Sequence, residues 1–238
     1  MMRGDRGAVY NNTEWRVFIG VLLIGTALVT INLMGVQGTI AEGEPLAQEN
    51  YTFGKAFREA SFQVVSLTTT TGYGTANFDA WPHFSRTLLL LLMFVGGCAG
   101  STSGGIKVVR FIILAKMAYW RLESTFRPKT IRKVRINGHV IEDDVQRSVY
   151  AFFVLHMLIF AVGILFLSSL GLPFQSAISA VIAALNNIGP GIELVGPELN
   201  YAFIPASGKI FLSLCMAMGR LELFSICVLF IPSFWKHS

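Results

Sequence analysis

Thr70-Thr71-Gly72-Tyr73-Gly74 is a Thr-x-Gly-Tyr-Gly string. Its chemistry is that of a potassium filter, in which backbone carbonyls replace an ion's water shell. Successive carbonyls must then point the same way along a pore. Glycine permits this because it takes positive φ and carries no side chain to obstruct a neighbouring strand. Threonine adds a hydroxyl oxygen at the inner end. A plain loop is the competing reading, since Gly-Tyr-Gly also occurs in ordinary turns. A second turn, Asn186-Asn187-Ile188-Gly189-Pro190-Gly191, lies 117 residues on. At that offset Gly72 matches Gly189, Gly74 matches Gly191, and Thr70 and Thr71 match Asn187 and Ile188. Gly-Pro-Gly alone is a common loop former; its weight comes from the shared position.

Between the two turns runs a stretch that a helix cannot easily hold. Gly96, Gly97, Gly100, Gly104 and Gly105, with Ser101, Thr102 and Ser103, are poor helix formers at this density. They predict an unwound segment after Val95 whose freed backbone must face water or protein. Close helix packing through small residues is the alternative. Lys107 follows the stretch, and Arg220 and Glu222 sit inside the last apolar run. Charge within a membrane is costly and marks a functional site by default. Arg220 is expected to face the interior and pair with a carboxylate or with loop carbonyls. Glu222, two residues on, lies on a different helical face. A structural ion pair is the bland reading, and restraint of the unwound loop by Arg220 or Lys107 the sharper one. His83 and His156 are expected at an interface or satisfied by neighbouring helices. Cys98, Cys215 and Cys227 lie in or beside apolar runs and are expected to pack, with no disulfide or metal role. No constellation of acid, base and nucleophile supports an enzyme, and nothing points to an organic cofactor.

These residues need a membrane scaffold, and the composition supplies one. Of 238 residues, 53% are hydrophobic and 14% charged, well below the roughly 25% charged of soluble domains. Mean hydropathy is +0.57. Long apolar runs cover 17–34, 87–95 resuming at 106–120, 149–172 and 210–234. A bilayer core of about 30 Å takes about 20 such residues in a helix. The first run exceeds the h-region of a signal peptide.

The chain reads as two copies of one plan: long helix, short apolar segment, Gly-rich turn, long helix. Copy one assigns these to 15–40, 57–67, 68–75 and 83–120; copy two to 147–170, 174–185, 186–191 and 207–235. The short segments cannot cross a bilayer and suit re-entrant helices. The fold class expected is an all-α membrane protein of two helix–pore-helix–helix repeats, with the last helix of the first repeat broken. The boundaries are a cytoplasmic segment 1–13, repeats over 14–120 and 147–238, and a basic linker over 121–146. The linker holds Arg127, Lys129, Arg132, Lys133 and Arg135, so positive-inside bias puts it and both termini in the cytoplasm. Asn137-Gly138 between alternating apolar residues predicts a hairpin there. Glu142, Asp143 and Asp144 and the lack of an aromatic platform speak against nucleic-acid binding.

The chain resembles the C-terminal half of a Trk/Ktr-type potassium transporter over about 14–235. Residues 69–73 resemble that superfamily's third filter and 186–191 its fourth. Residues 94–107, Phe-Val-Gly-Gly-Cys-Ala-Gly-Ser-Thr-Ser-Gly-Gly-Ile-Lys, resemble its third M2 helix, broken within the membrane. The resemblance implies four M1–pore-helix–M2 repeats around one pore, K⁺ as the transported ion and a filter over Thr70–Gly74 and Asn187–Gly191. It implies a gate in the intramembrane loop, homodimers of complete pores, a cytosolic nucleotide-binding ring as regulator and a bacterial inner-membrane location. Two filter strands of four are expected here, the others coming from an upstream half or a second copy. A truncated, non-conducting fragment or subunit, and Na⁺ or ammonium conduction on the same scaffold, stand as alternatives.

Overall fold

In the computed structural model, residues 12–35, 51–126 and 134–221 are described. The architecture is mostly helical. Helix α1 spans Thr13–Gly35, α2 Phe53–Thr68, α3 His83–Leu92, α4 Val108–Phe126, α5 Asp143–Ser169, α6 Phe174–Leu185 and α7 Ala206–Arg220. Short 3₁₀ turns cover Phe78–Ala80 and Glu193–Val195. Helices α1 and α5, of 23 and 27 residues, are long and apolar enough to cross a membrane. Helices α3 and α6 are apolar but, at 10 and 12 residues, fall well short of the length a span needs.

Several predicted boundaries move. The first short segment starts at Phe53, four residues ahead of the expected 57. Thr52 sits at its N-cap with extended backbone, and Phe53 stacks on Phe57 one turn on, at 6.0 Å. The expected second run is two helices, and the first ends at Leu92, three residues before the expected Val95. Val95 is instead extended and bridges Ile106 in parallel, which holds the two ends of the break together. The first long helix ends its described part at Gly35; 36–40 lie outside the described residues, as do 222–238 of the fourth run.

Two apolar clusters carry the packing. Val29, Val64, Leu67, Leu89 and Met93 join α1, α2 and α3, and Ile182 and Ile188 from the second half complete this cluster. Phe152, Leu167, Val181, Leu185 and Leu212 join α5, α6 and α7. Helix α6 therefore buries one face in each, which is why nine of its twelve residues are buried. The linker contains the expected hairpin: β1 Arg135–Ile136 pairs antiparallel with β2 His139–Val140. Asn137 and Gly138 take φ of 50° and 83°, the pair of positive values that a two-residue turn of this hand demands. His156 departs from expectation. It is buried on α5 and stacks on Phe152, yet neither ring nitrogen has a hydrogen-bond partner among the described residues.

Candidate functional site: two turns and a broken helix

The two turns have the same backbone. After α2, Thr69 N–H donates to Val65 O, Thr70 N–H to Leu67 O and Thr71 N–H to Ser66 O, at 2.9, 3.2 and 2.9 Å. After α6, Asn186 N–H donates to Ile182 O, Asn187 N–H to Ala184 O and Ile188 N–H to Ala183 O, at 3.0, 3.1 and 2.9 Å. Each pair is offset by 117 residues. Thr70 and Asn187 take φ of 57° and 56°, and Gly72 and Gly189 follow at 76° and 109°. A non-glycine residue in the left-handed region is uncommon and costs about 1–2 kcal/mol. Two such residues at equivalent places mark a conformation held by its surroundings.

The turns also touch. A Cβ on Gly72 would lie 1.9 Å from Ile188 O, so this backbone pair meets only because residue 72 is glycine. Gly189 has open space where its Cβ would be. Hydroxyls hold carbonyls on the far side of each turn. Ser66 Oγ donates to Tyr73 O at 2.6 Å, and Tyr201 Oη donates to Gly189 O at 2.8 Å. Burial raises the Tyr201 phenol above the usual tyrosine range, so it remains a donor. Gly74 lies beside Gln63, whose Nε2 donates to Ala76 O at 3.2 Å. Past Pro190, Gly191 N–H donates to Val195 O at 2.7 Å. The Tyr73 side chain itself is exposed.

The unwound segment 93–107 lies against both turns. Gly104 N–H donates to Thr70 Oγ1 at 3.0 Å, and a Cβ on Gly104 would come within 2.1 Å of Asn186 O. Asn186 Nδ2 donates to Met93 O at 2.9 Å, and Asn187 Nδ2 to Met216 O at 3.0 Å. Gly96 N–H donates to Ile106 O and Val108 N–H to Gly97 O, so the ends of the break run side by side. Gly100 and Gly105 turn the chain at φ of 82° and 74°. Inside the loop, Gly97 N–H donates to Ser103 Oγ, which also bonds Ser101 Oγ.

The sequence-predicted charges converge on this loop. Lys107 Nζ donates to Ser101 O and Ser103 O at 2.9 and 2.6 Å. The Arg220 guanidinium, at the end of α7, donates to Thr102 O. Hydrogen bonds from charged donors are the stronger kind, about 1.5–3 kcal/mol each. Of the two partners expected for Arg220, it takes the loop carbonyl. Glu222 lies outside the described residues. A cavity of about 250 Å³ borders the loop, lined by Ser101, Thr102, Ser103, Lys107, His156 and Arg220.

Sequence reasoning missed three groups here. Ser66 and Tyr201 are ordinary residues until folding sets their hydroxyls beside carbonyls 7 and 12 residues away. Glu14, buried at the start of α1, accepts from Ala99 N–H at 2.6 Å and Val109 N–H at 3.3 Å. Its visible trace was a lone carboxylate opening an apolar helix.

Residues 13–237 match the TrkH family, described as cation transport protein. The chain is 36% identical over 228 residues, 96% of its length, to the Trk system potassium uptake protein TrkH of Salmonella typhimurium. It is 34% identical over 237 residues, 99% of its length, to the Trk system potassium uptake protein TrkI of Halomonas elongata. The crystal structure of the potassium transporter TrkH from Vibrio parahaemolyticus superposes with a TM-score of 0.85 at 33% identity over 97% of this chain. The chain belongs to the TrkH family. It is thus a membrane protein of a potassium-transport family, and the Trk resemblance read from the motifs holds. This TrkH-family chain spans 44% and 46% of the two relatives' lengths and 46% of the solved chain.

Proposed function

We propose that this chain forms part of a Trk-type potassium uptake pore in the bacterial inner membrane. In this reading, residues 14–120 and 147–238 are two M1–pore-helix–M2 repeats, α2 and α6 are re-entrant, and 121–146 is a cytoplasmic linker. Both termini lie in the cytoplasm. The carbonyls of Thr70–Gly74 and Asn187–Gly191 take the place of water around a K⁺ ion. The observation that carries it is the pair of turns with one backbone, offset by 117 residues and in direct contact at Gly72 and Ile188. Ordinary surface loops have no reason to share φ signs and hydrogen bonds. Filter strands from pseudo-equivalent repeats do.

Gating follows from the loop. Residues 96–105 pass beneath the first turn, fastened there by Thr70 Oγ1. Lys107 and Arg220 both restrain it through its carbonyls. Loop displacement opens the path, and ions then move down their electrochemical gradient. A filter needs four strands, so two further turns join these, from the corresponding upstream half or a second copy. Complete pores pair as homodimers, and a cytosolic nucleotide-binding ring acts on the gate from the linker side. No organic cofactor takes part.

Potassium-dependent growth of an uptake-deficient bacterium tests this reading. The chain supplied with a matching upstream half should restore growth at low K⁺. Failure with that half, despite membrane insertion of both, would count against the pore. Rescue by the chain alone would mean that copies of it complete the filter.

A further inference from the structure

The break between α3 and α4 is also fastened by Glu14. Glu14 sits at the cytoplasmic start of α1, more than eighty residues from the loop in sequence. The residue is 8% exposed. One carboxylate oxygen, Oε1, accepts from both Ala99 N–H at 2.6 Å and Val109 N–H at 3.3 Å. Ala99 belongs to the loop and Val109 to the first turn of α4. A single buried carboxylate therefore ties the descending side of the break to the helix that resumes after it. An anion at a helix N-terminus is favourable because the first N–H groups of the helix have no partner within it.

The same end of α1 is held from the cytoplasmic hairpin. Asn137, at the hairpin tip, accepts from Thr13 N–H at 2.8 Å through Oδ1 and donates from Nδ2 to Asn12 Oδ1 at 3.3 Å. Asn12 Oδ1 in turn accepts from Glu14 N–H at 2.9 Å. The path from hairpin tip to loop is thus four residues long, and every step is a hydrogen bond.

We infer that Glu14 is a positioning residue that latches the loop in its restrained pose, and that the Asn137 hairpin is the handle on that latch. Force applied to the hairpin from the cytoplasm reaches the loop through Asn12 and Glu14, by contacts that involve neither Lys107 nor Arg220. The inference rests on the pore reading for the meaning of loop release, but the latch itself is a geometric claim that can fail separately.

Cys98, next to Ala99, is a natural reporter of loop position. The test uses the complete transporter containing this chain, with every cysteine except Cys98 replaced by alanine, and follows labelling of Cys98 by N-ethylmaleimide across a pH series. Rates are compared per thiolate, so that loss of the neighbouring Glu14 charge does not itself count as loop release. Glu14→Ala should speed labelling about tenfold, the scale of one lost charge-assisted hydrogen bond. Glu14→Gln, which keeps an acceptor without the charge, should give a smaller rise, and Asn137→Gly a smaller one still. In flux measurements Glu14→Ala should raise K⁺ leak while leaving discrimination against Na⁺ unchanged; a merely structural role would lower flux and melting temperature together. Wild-type labelling rates in Glu14→Ala would overturn the latch. If Glu14→Ala does not assemble, Asn137→Gly decides, since it removes the tip's bonds to Thr13 and Asn12 at a turn whose positive φ glycine accepts: an unchanged rate overturns the proposal. Accelerated labelling in a transporter that never carries K⁺ would support the latch and remove the pore.

Discussion

The first turn, 69–74, and the second, 186–191, have one backbone and two different settings. Their φ values and hydrogen bonds repeat at 117 residues. Their neighbours do not. In the second turn Asn186, Ile188 and Gly191 are buried, and Asn186 and Asn187 bond to carbonyls of Met93 and Met216. In the first turn Thr71, Tyr73 and Gly74 are exposed, and Thr70 Oγ1 accepts from Gly104 N–H of the loop. The backbone does the shared task, and side chains differ according to what each turn must be joined to. The second turn is wedged into the fold by its amides. The first is left open at Thr71, Tyr73 and Gly74.

Glycine substitutions are the sharpest way to break that comparison. Gly72→Ala adds a positive-φ penalty and drives a Cβ to 1.9 Å from Ile188 O, where the obstacle is backbone and cannot swing aside. Uptake by the complete transporter should fall roughly a hundredfold, about 3 kcal/mol. Gly189→Ala meets only the conformational penalty, because nothing lies near its Cβ. It should cost about tenfold in the same assay. Equal losses would mean that the contact between the turns is immaterial. Gly104→Ala tests the loop instead. Its Cβ would meet Asn186 O at 2.1 Å, so the loop must leave its seat below the turns, and K⁺ leak should rise several-fold, about 1 kcal/mol of lost restraint. Reduced leak would contradict the loop as an obstruction. Tyr201→Phe removes one hydroxyl from Gly189 O and nothing else. A change of about two- to fivefold in uptake is expected, the worth of one neutral hydrogen bond; a larger effect would give the second turn more of the selectivity than its wedged setting suggests.

The comparison also divides what was legible in the sequence from what was not. Gly72 and Gly189 announce their turns, and the glycine density of 96–105 announces the break, because composition alone forbids a regular helix there. The break opens three residues early because Val95 leaves the helix to bridge Ile106, a pairing that depends on the returning chain. Lys107 and Arg220 stood out as charges in apolar surroundings, and both end on loop carbonyls. Thr70 and Asn187 gave no sign of their left-handed backbone, since neither type requires it; neighbouring structure imposes it. The roles of Glu14 and Tyr201 were hidden for a related reason. Their partners lie on other elements, and only packing brings a carboxylate from α1 to Ala99. Phe53 was missed at the start of α2 because Gly54 and Lys55 separate it from the segment that begins at Phe57.

The central claim is that the two matched turns coordinate the ion. Its most direct test is the ratio of K⁺ to Na⁺ permeation through the complete transporter reconstituted in liposomes, with and without Gly72→Ser. The account predicts that the wild type favours K⁺ and that Gly72→Ser loses most of that preference while protein folding and insertion persist. An unchanged ratio in a Gly72→Ser transporter that still conducts would contradict it.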